Sequence, residues 1–175
     1  MPLKRVLFAG FAGTVVIGVL AFLSDPVGLP VLVSGFGSSC VLVFTFPHSP
    51  LARPTSVVCG HLVSTLCGLC VAAVLPVAWW SIALATGLAL VAMAVLRVSH
   101  PPAGGSPIAV MTAGAGWSYL VTPVLVGVLI VVAFGLVYQR YLVPRPATAE
   151  PAEAEAGRPD SATRPEGAAP AIPST

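Results

Sequence analysis

The sequence predicts an all-α membrane protein made of two inverted repeats of three segments, the second segment of each repeat broken by glycine and proline. Composition is the first reason. Hydrophobic residues make up 57% of the chain and charged residues 8%, with a mean hydropathy of +0.96, whereas a water-soluble domain carries about a quarter charged residues. The second reason is the placing of charge. Glu150, Glu153, Glu155, Asp160 and Glu166 all fall in the C-terminal tail, so Asp25 is the only acid in residues 1–143, against Lys4, Arg5, Arg53, Arg97 and Arg140. The third is an internal match between the two broken segments, taken up below.

Four apolar stretches, 6–23, 57–75, 78–96 and 119–143, are each near the ~20 residues that a helical span needs. The first follows Lys4 and Arg5 as a signal peptide would, but its apolar run exceeds the ~7–15 residues of such a core, and "AFLSDP" has no small-x-small cleavage site. It is therefore read as a retained span. The stretch 28–46, "GLPVLVSGFGSSCVLVFTF", is apolar only in its second half. Its counterpart at 98–117, "VSHPPAGGSPIAVMTAGAGW", holds one histidine, three prolines and several glycines. Backbone of this kind is tolerated at membrane depth where it is buried in protein or lines a cavity. Residues 144–175 are proline, alanine and glutamate without apolar periodicity, and are expected to be a disordered tail behind a transmembrane domain at 1–143.

If all six segments cross, Lys4, Arg5, Arg53, Arg97, Arg140 and Arg145 flank the spans on one side; with five crossings, Arg140 and Arg145 move to the other. Because basic flanks favour the cytoplasm, six passages with both termini cytoplasmic are expected. The setting expected is the plasma (inner) membrane of a bacterium. Residues 37–45, "GSSCVLVFT", align with 104–112, "GGSPIAVMT", at four identities in nine, and "HLVST" from His61 aligns with "YLVTP" from Tyr119 as the offset falls from 67 to 58. Three passages per half is an odd number, so the halves must be inverted. Inverted repeats with matching broken helices recur in secondary transporters, with the site at midplane.

The residue types at the breaks suggest the substrate. Gly37, Ser38 and Ser39 in one segment, and Gly104, Gly105 and Ser106 in the other, each precede an apolar helical run. Helix N-termini beside hydroxyls favour anions, and the spans carry no acid to hold a cation. Small residues that only let helices pack closely would give the same pattern. His61, Ser64, Thr65 and Gly68 share one helical face by their i, i+3, i+4 and i+7 spacing. An ionisable residue within a span is a functional candidate by default. His100 precedes Pro101 and Pro102, which restrain the backbone to an extended lead-in. His48 is placed in a loop. Cys67 and Cys70 lie on one apolar helix and read as packing, and the histidines have no second ligand at helical spacing, so no metal and no cofactor is expected. No nucleophile motif, phosphate loop or nucleic-acid signature is present, so neither an enzyme nor a nucleic-acid partner is expected.

"FGSSCVLVF", "SPLARP", "GHLVS", "HPPAGGSPIAV" and "GWSYLVTPVLVG" together resemble the successive motifs of the HPP family of integral membrane proteins, over roughly residues 5–142. Its members are usually described with four predicted spans. Those of photosynthetic organisms are associated with nitrite transport, so the resemblance implies a small-anion transporter. The loop Ala52-Arg53-Pro54-Thr55-Ser56 departs from the family's usual Ala-Gln-Pro-Arg-Asn, and because a disordered tail stands where some members carry a regulatory CBS domain, nucleotide regulation in cis is not expected. The expected function is transport of a small inorganic anion, nitrite foremost, in a lipid bilayer, with a homo-oligomer compatible with the sequence. The alternatives are an anion channel and a non-transporting scaffold or subunit of a larger complex. The residues expected at the substrate are Gly37, Ser38, Ser39, His61, His100, Pro101, Pro102, Gly104, Gly105 and Ser106. His61 is expected to carry a proton and His100 to draw in the anion, because free histidine titrates near ~6.5.

Overall fold

The computed structural model describes residues 3–25, 28, 32, 33 and 35–143; the tail at 144–175 lies outside them. The described residues contain helices and no strand. Helix α1 spans Leu3–Ser24, α2 spans Gly35–Cys40 and continues as a π-helical turn through Thr45, and α3 spans Pro54–Val74. Helix α4 spans Trp79–Val95, a 3-10 stretch at Pro101–Gly105 leads into α5 at Ser106–Thr112, and α6 spans Val126–Leu142.

Three helical runs are long and apolar enough to cross a membrane: Leu3–Ser24, Pro54–Val74 and Trp117–Leu142. One of the four expected long spans, 78–96, therefore falls short of expectation. The stretch 78–96 yields only the 17 residues of α4, about 25 Å at the 1.5 Å rise of a helix. Arg97 ends it by taking the left-handed conformation (φ 58°), while the Val98 N–H closes on the Met93 carbonyl at 2.9 Å. That is a Schellman stop with arginine where glycine is usual. The stretch 119–143 is not one regular helix: 3-10 and π turns cover Trp117–Leu125, Thr122 is non-helical, and regular α-helix resumes at Val126.

Both broken segments were legible as breaks. The first becomes helical at Gly35, and Gly35–Thr45 is about 16 Å long, half of a ~30 Å hydrocarbon core. In the second, His100 is extended (φ −135°, ψ 99°), as a residue before proline should be, but the extended lead-in stops there: Pro101 and Pro102 open a 3-10 turn, a position that needs no N–H from either.

Close approach at two glycines fixes the direction of the second segment. A Cβ on Gly60 would lie 2.8 Å from His100 Cβ, and one on Gly68 would lie 2.8 Å from Pro107 Cα. Residues 100–110 therefore run alongside α3 in its own direction. Val110 and Met111 then join Leu69, Val71 and Ala85 in a core at the far end of α3, with Leu75 and Ile82 packed on it. The first segment runs the other way. Val43 presses on Gly135 of α6, Phe44 stands edge-on to Tyr138 with ring centres 5.1 Å apart, and Phe44 and Thr45 share a cavity with Arg5 and Leu142. The larger core, built on Val16, Leu20, Phe36, Val43, Val57, Val128 and Val131, joins α1, α2, α3 and α6. Helix α4 offers a buried stripe at four-residue intervals, Ser81, Ala85, Ala89 and Met93, three of them small residues of the sort that let membrane helices approach closely. Leucines 84, 88 and 90 and valines 91 and 95 face outward, as lipid-facing residues do.

Candidate functional site

The sequence-predicted polar face of α3 is buried: His61, Ser64, Thr65 and Gly68 all point into the protein. His61 and His100 are both fully enclosed, with ring centres 5.3 Å apart. Ser39 sits between them, its Oγ 3.0 Å from His61 Nε2 and 2.9 Å from His100 Nε2. The other nitrogen of His61, Nδ1, lies 3.2 Å from Ser106 Oγ, and that of His100 lies 2.8 Å from the Leu51 carbonyl oxygen. Phe36 closes the site with its ring edge-on to His61 at 5.3 Å. The result is a continuous buried hydrogen-bonded row, Ser106, His61, Ser39, His100 and Leu51, that crosses from one broken segment to the other and back to the loop before α3.

Each member is held by a local cause. Ser39 is one turn into α2, and its hydroxyl also lies 3.0 Å from the Gly35 carbonyl. Gly35 itself must be small, because a Cβ there would lie 3.3 Å from the Pro102 carbonyl oxygen and 3.4 Å from the His61 ring. The Ser64 hydroxyl donates to the Ala103 carbonyl at 2.6 Å and so ties the 3-10 turn to α3. Thr65 Oγ1 is the buried side-chain polar atom left without a partner among the described residues.

A cavity of about 220 Å³ lies beside this row, lined by Val33, Gly35 and Ser38 from the first segment and Pro102, Gly105, Ser106 and Ala109 from the second. Helices α2 and α5 both begin at it and leave in opposite directions. The Phe36 N–H at the start of α2 already bonds the Val33 carbonyl and the Ser106 N–H at the start of α5 bonds the Ala103 carbonyl, while Pro107 has none, so these helix starts offer the cavity their dipoles and two hydroxyls. A larger cavity of about 380 Å³ lies between the start of α1 and the end of α6, with Arg5, His48 and Ser49 in its lining.

Of the ten residues expected at the substrate, Ser39, His61, His100 and Ser106 are joined by hydrogen bonds, and Ser38, Pro102, Gly105 and Ser106 line the cavity. Three are elsewhere. Gly37 is exposed with open space at its Cα, Gly104 rests near Leu90, and Pro101 lines an adjoining groove with Val41, Leu42 and Phe46 that shares Ser38 and Pro102 with the cavity. Helical rotation explains Gly37, since the buried face of α2 is made by Phe36, Ser39 and Cys40. Sequence reading missed Gly35, Ser64's bond to Ala103, and the Leu51 carbonyl. A backbone acceptor in a loop leaves no sequence signal, whereas Ser64 was on the predicted stripe. No group of three histidine, cysteine, aspartate or glutamate side chains among the described residues is arranged to hold a metal ion.

No solved structure matches the chain. Two transmembrane proteins of Dictyostelium discoideum are similar to it, one 37% identical over 118 residues and the other 31% identical over 142 residues. The matches cover 63% and 76% of this chain but only 38% and 50% of those relatives. The profile of the HPP transmembrane region matches residues 1–147. A match across most of the chain, over a fold with membrane-length helices and the His100-Pro101-Pro102 turn in its centre, shows that this chain belongs to the HPP family of integral membrane proteins.

Proposed function

We propose that this protein transports a small inorganic anion, nitrite foremost, through the cavity between its two broken segments. The observation that carries this reading is the convergence of two helix starts and the hydroxyls of Ser38 and Ser106 on one small cavity, with a buried histidine pair behind Ser106, in spans that contain no carboxylate. Partial positive charge at helix starts favours an anion, and a cation would find only carbonyl and hydroxyl oxygens. Nitrite heads the anions because the resemblance to the family implies it.

The same reading takes the fold as two inverted triplets of passages, and one offset of 67 residues supports it. Ser39 and Ser106 are related by that offset and bond opposite nitrogens of His61. Val43 presses on Gly135 while Val110 presses on Gly68, and the offset exchanges both valines and both glycines. The third helices match at 67 as well, rather than at the 58 of the "HLVST" and "YLVTP" pairing: Thr55 and Thr122, Val57 and Val124, Gly60 and Gly127, Leu62 and Leu129, and Leu69 and Leu136 are identical pairs. Arg5, Arg53, Arg97 and Arg140 gather towards the end of the bundle where the first broken segment finishes, which we take as cytoplasmic.

Uptake into proteoliposomes tests the function, with nitrite, nitrate, formate and chloride compared. Nitrite uptake should exceed that of protein-free vesicles, and Ser106→Ala should lower it on the order of fivefold, the ~1 kcal/mol of one hydrogen bond, with the protein still in the membrane. Uptake of all four anions at the protein-free rate would sink the transport reading.

A further inference from the structure

We propose that Ser106, His61, Ser39 and His100 form a relay that takes one proton from the cavity and stores it on His100. The inference rests on the transport reading for its purpose, but its geometry stands apart from it.

The hydrogen positions follow from one fixed end. The Leu51 carbonyl can only accept, so His100 Nδ1 must donate to it across 2.8 Å. In the neutral ring the other nitrogen, Nε2, then carries a lone pair, and Ser39 Oγ at 2.9 Å is the donor that meets it. With its one hydrogen committed, Ser39 accepts from His61 Nε2–H at 3.0 Å, and His61 Nδ1 accepts from the Ser106 hydroxyl at 3.2 Å. Every bond in the row therefore points from the cavity towards Leu51.

That polarity permits one proton to enter and no more. A proton from the cavity bonds to Ser106 Oγ as the hydrogen that Ser106 held passes to His61 Nδ1, so Ser106 remains a hydroxyl. The hydrogen on His61 Nε2 passes to Ser39 Oγ, and the hydrogen that Ser39 held passes to His100 Nε2. His61 ends neutral in its other tautomer, donating from Nδ1 to Ser106. Ser39 ends as a hydroxyl donating back to His61 Nε2, and His100 ends as the cation with both nitrogens donating. Charge and hydrogen balance with no other reactant. The Gly35 carbonyl, 3.0 Å from Ser39 Oγ, offers the hydroxyl a second acceptor as it turns.

Among the described residues, no carboxylate, lysine or arginine joins the row. The charged residues of the described chain are Lys4, Arg5, Asp25, Arg53, Arg97 and Arg140, all at or near segment ends, so α1, α4 and α6 bring no carboxylate or cation to the site from within their spans. Helix α2 carries the thiol of Cys40 and α3 those of Cys59, Cys67 and Cys70, the turn at Trp117–Leu120 carries Tyr119, and the second broken segment carries no thiol. A transporter using this store would move nitrite together with a proton, with no net charge.

Two measurements separate the relay from the transport reading. Nitrogen-15 solid-state NMR of histidine-labelled protein in bilayers reads the tautomers directly, with His48→Gln, His61→Gln and His100→Gln used to assign signals. At neutral pH, His100 should be protonated on Nδ1 and His61 on Nε2. On acidification, His61 should change tautomer in step with double protonation of His100. Neutral His100 protonated on Nε2, or a His61 cation appearing first, would overturn the relay even if uptake is robust. In proteoliposomes, initial nitrite uptake above the protein-free rate should follow a pH gradient and ignore a potassium diffusion potential, with about a tenfold rise in accumulation per pH unit. Voltage-driven wild-type uptake would overturn coupling through the relay and leave anion transport standing. Any uptake retained by Ser39→Ala should become voltage-driven.

Discussion

Gly68 and Gly135 occupy related places in the two halves, yet adding one methyl to each should have unequal consequences. At Gly68, the new Cβ would stand 2.6 Å from Val110 Cγ1 and 2.8 Å from Pro107 Cα. Carbon atoms rest at about 3.5–4.0 Å, so α5 would have to retreat by roughly 0.7 Å or more from α3. Pro107 Cα is backbone and cannot turn aside. Ser106 precedes it in the chain, and its 3.2 Å contact with His61 has little room before it ceases to be a hydrogen bond. At Gly135, the only close atom is Val43 Cγ1 at 2.5 Å, the end of a side chain. Overpacking of this kind costs about 1–3 kcal/mol. Gly68→Ala should fall at the upper end of that range and also lose uptake. Gly135→Ala should fall at the lower end and be rescued by Val43→Ala, whereas Val110→Ala should rescue Gly68→Ala only in part, because the Pro107 contact remains. Melting of the purified protein in detergent, followed by tryptophan fluorescence, ranks the four variants, and uptake assays report the site. Wild-type melting and uptake for Gly68→Ala would refute the close packing of α5 on α3.

Thr65→Val should leave stability unchanged or raise it by up to about 1 kcal/mol, because the buried hydroxyl has no partner to lose and its desolvation cost disappears; a drop in melting temperature in the same detergent assay would show that the hydroxyl is engaged. In a cysteine-free background, Arg53→Cys and Val77→Cys should react with a membrane-impermeant maleimide from opposite faces, since α3 separates them. Labelling of both in intact cells would contradict a single crossing between the two positions.

The breaks at Gly35 and at Pro101–Gly105 were readable because glycine, proline and serine interrupt apolar runs, and the buried stripe on α3 was readable because helical spacing alone puts His61, Ser64, Thr65 and Gly68 on one face. Membership of the family was carried by motifs spread along the chain. Less accessible were the ends of elements. Arg97 closes α4 in a conformation that arginine seldom adopts, and the irregular turns at Trp117–Leu125 sit inside a run that hydropathy counts as one span.

The sequence by itself determined that the chain lives in a membrane, because a chain with so few charges has no polar surface to show to water, and it determined which segments could not be regular helices. Only the tertiary structure decided which polar groups meet. Ser39 and His100 are 61 residues apart and His61 and Ser106 are 45 apart; nothing local couples them. Their meeting depends on glycines 60 and 68, which let the second broken segment lie against α3, and on Gly35, which lets the first approach Pro102. Close approach is a property of two surfaces at once, and a buried donor gains its direction from the one acceptor opposite it, here a loop carbonyl at Leu51 that no residue type could announce.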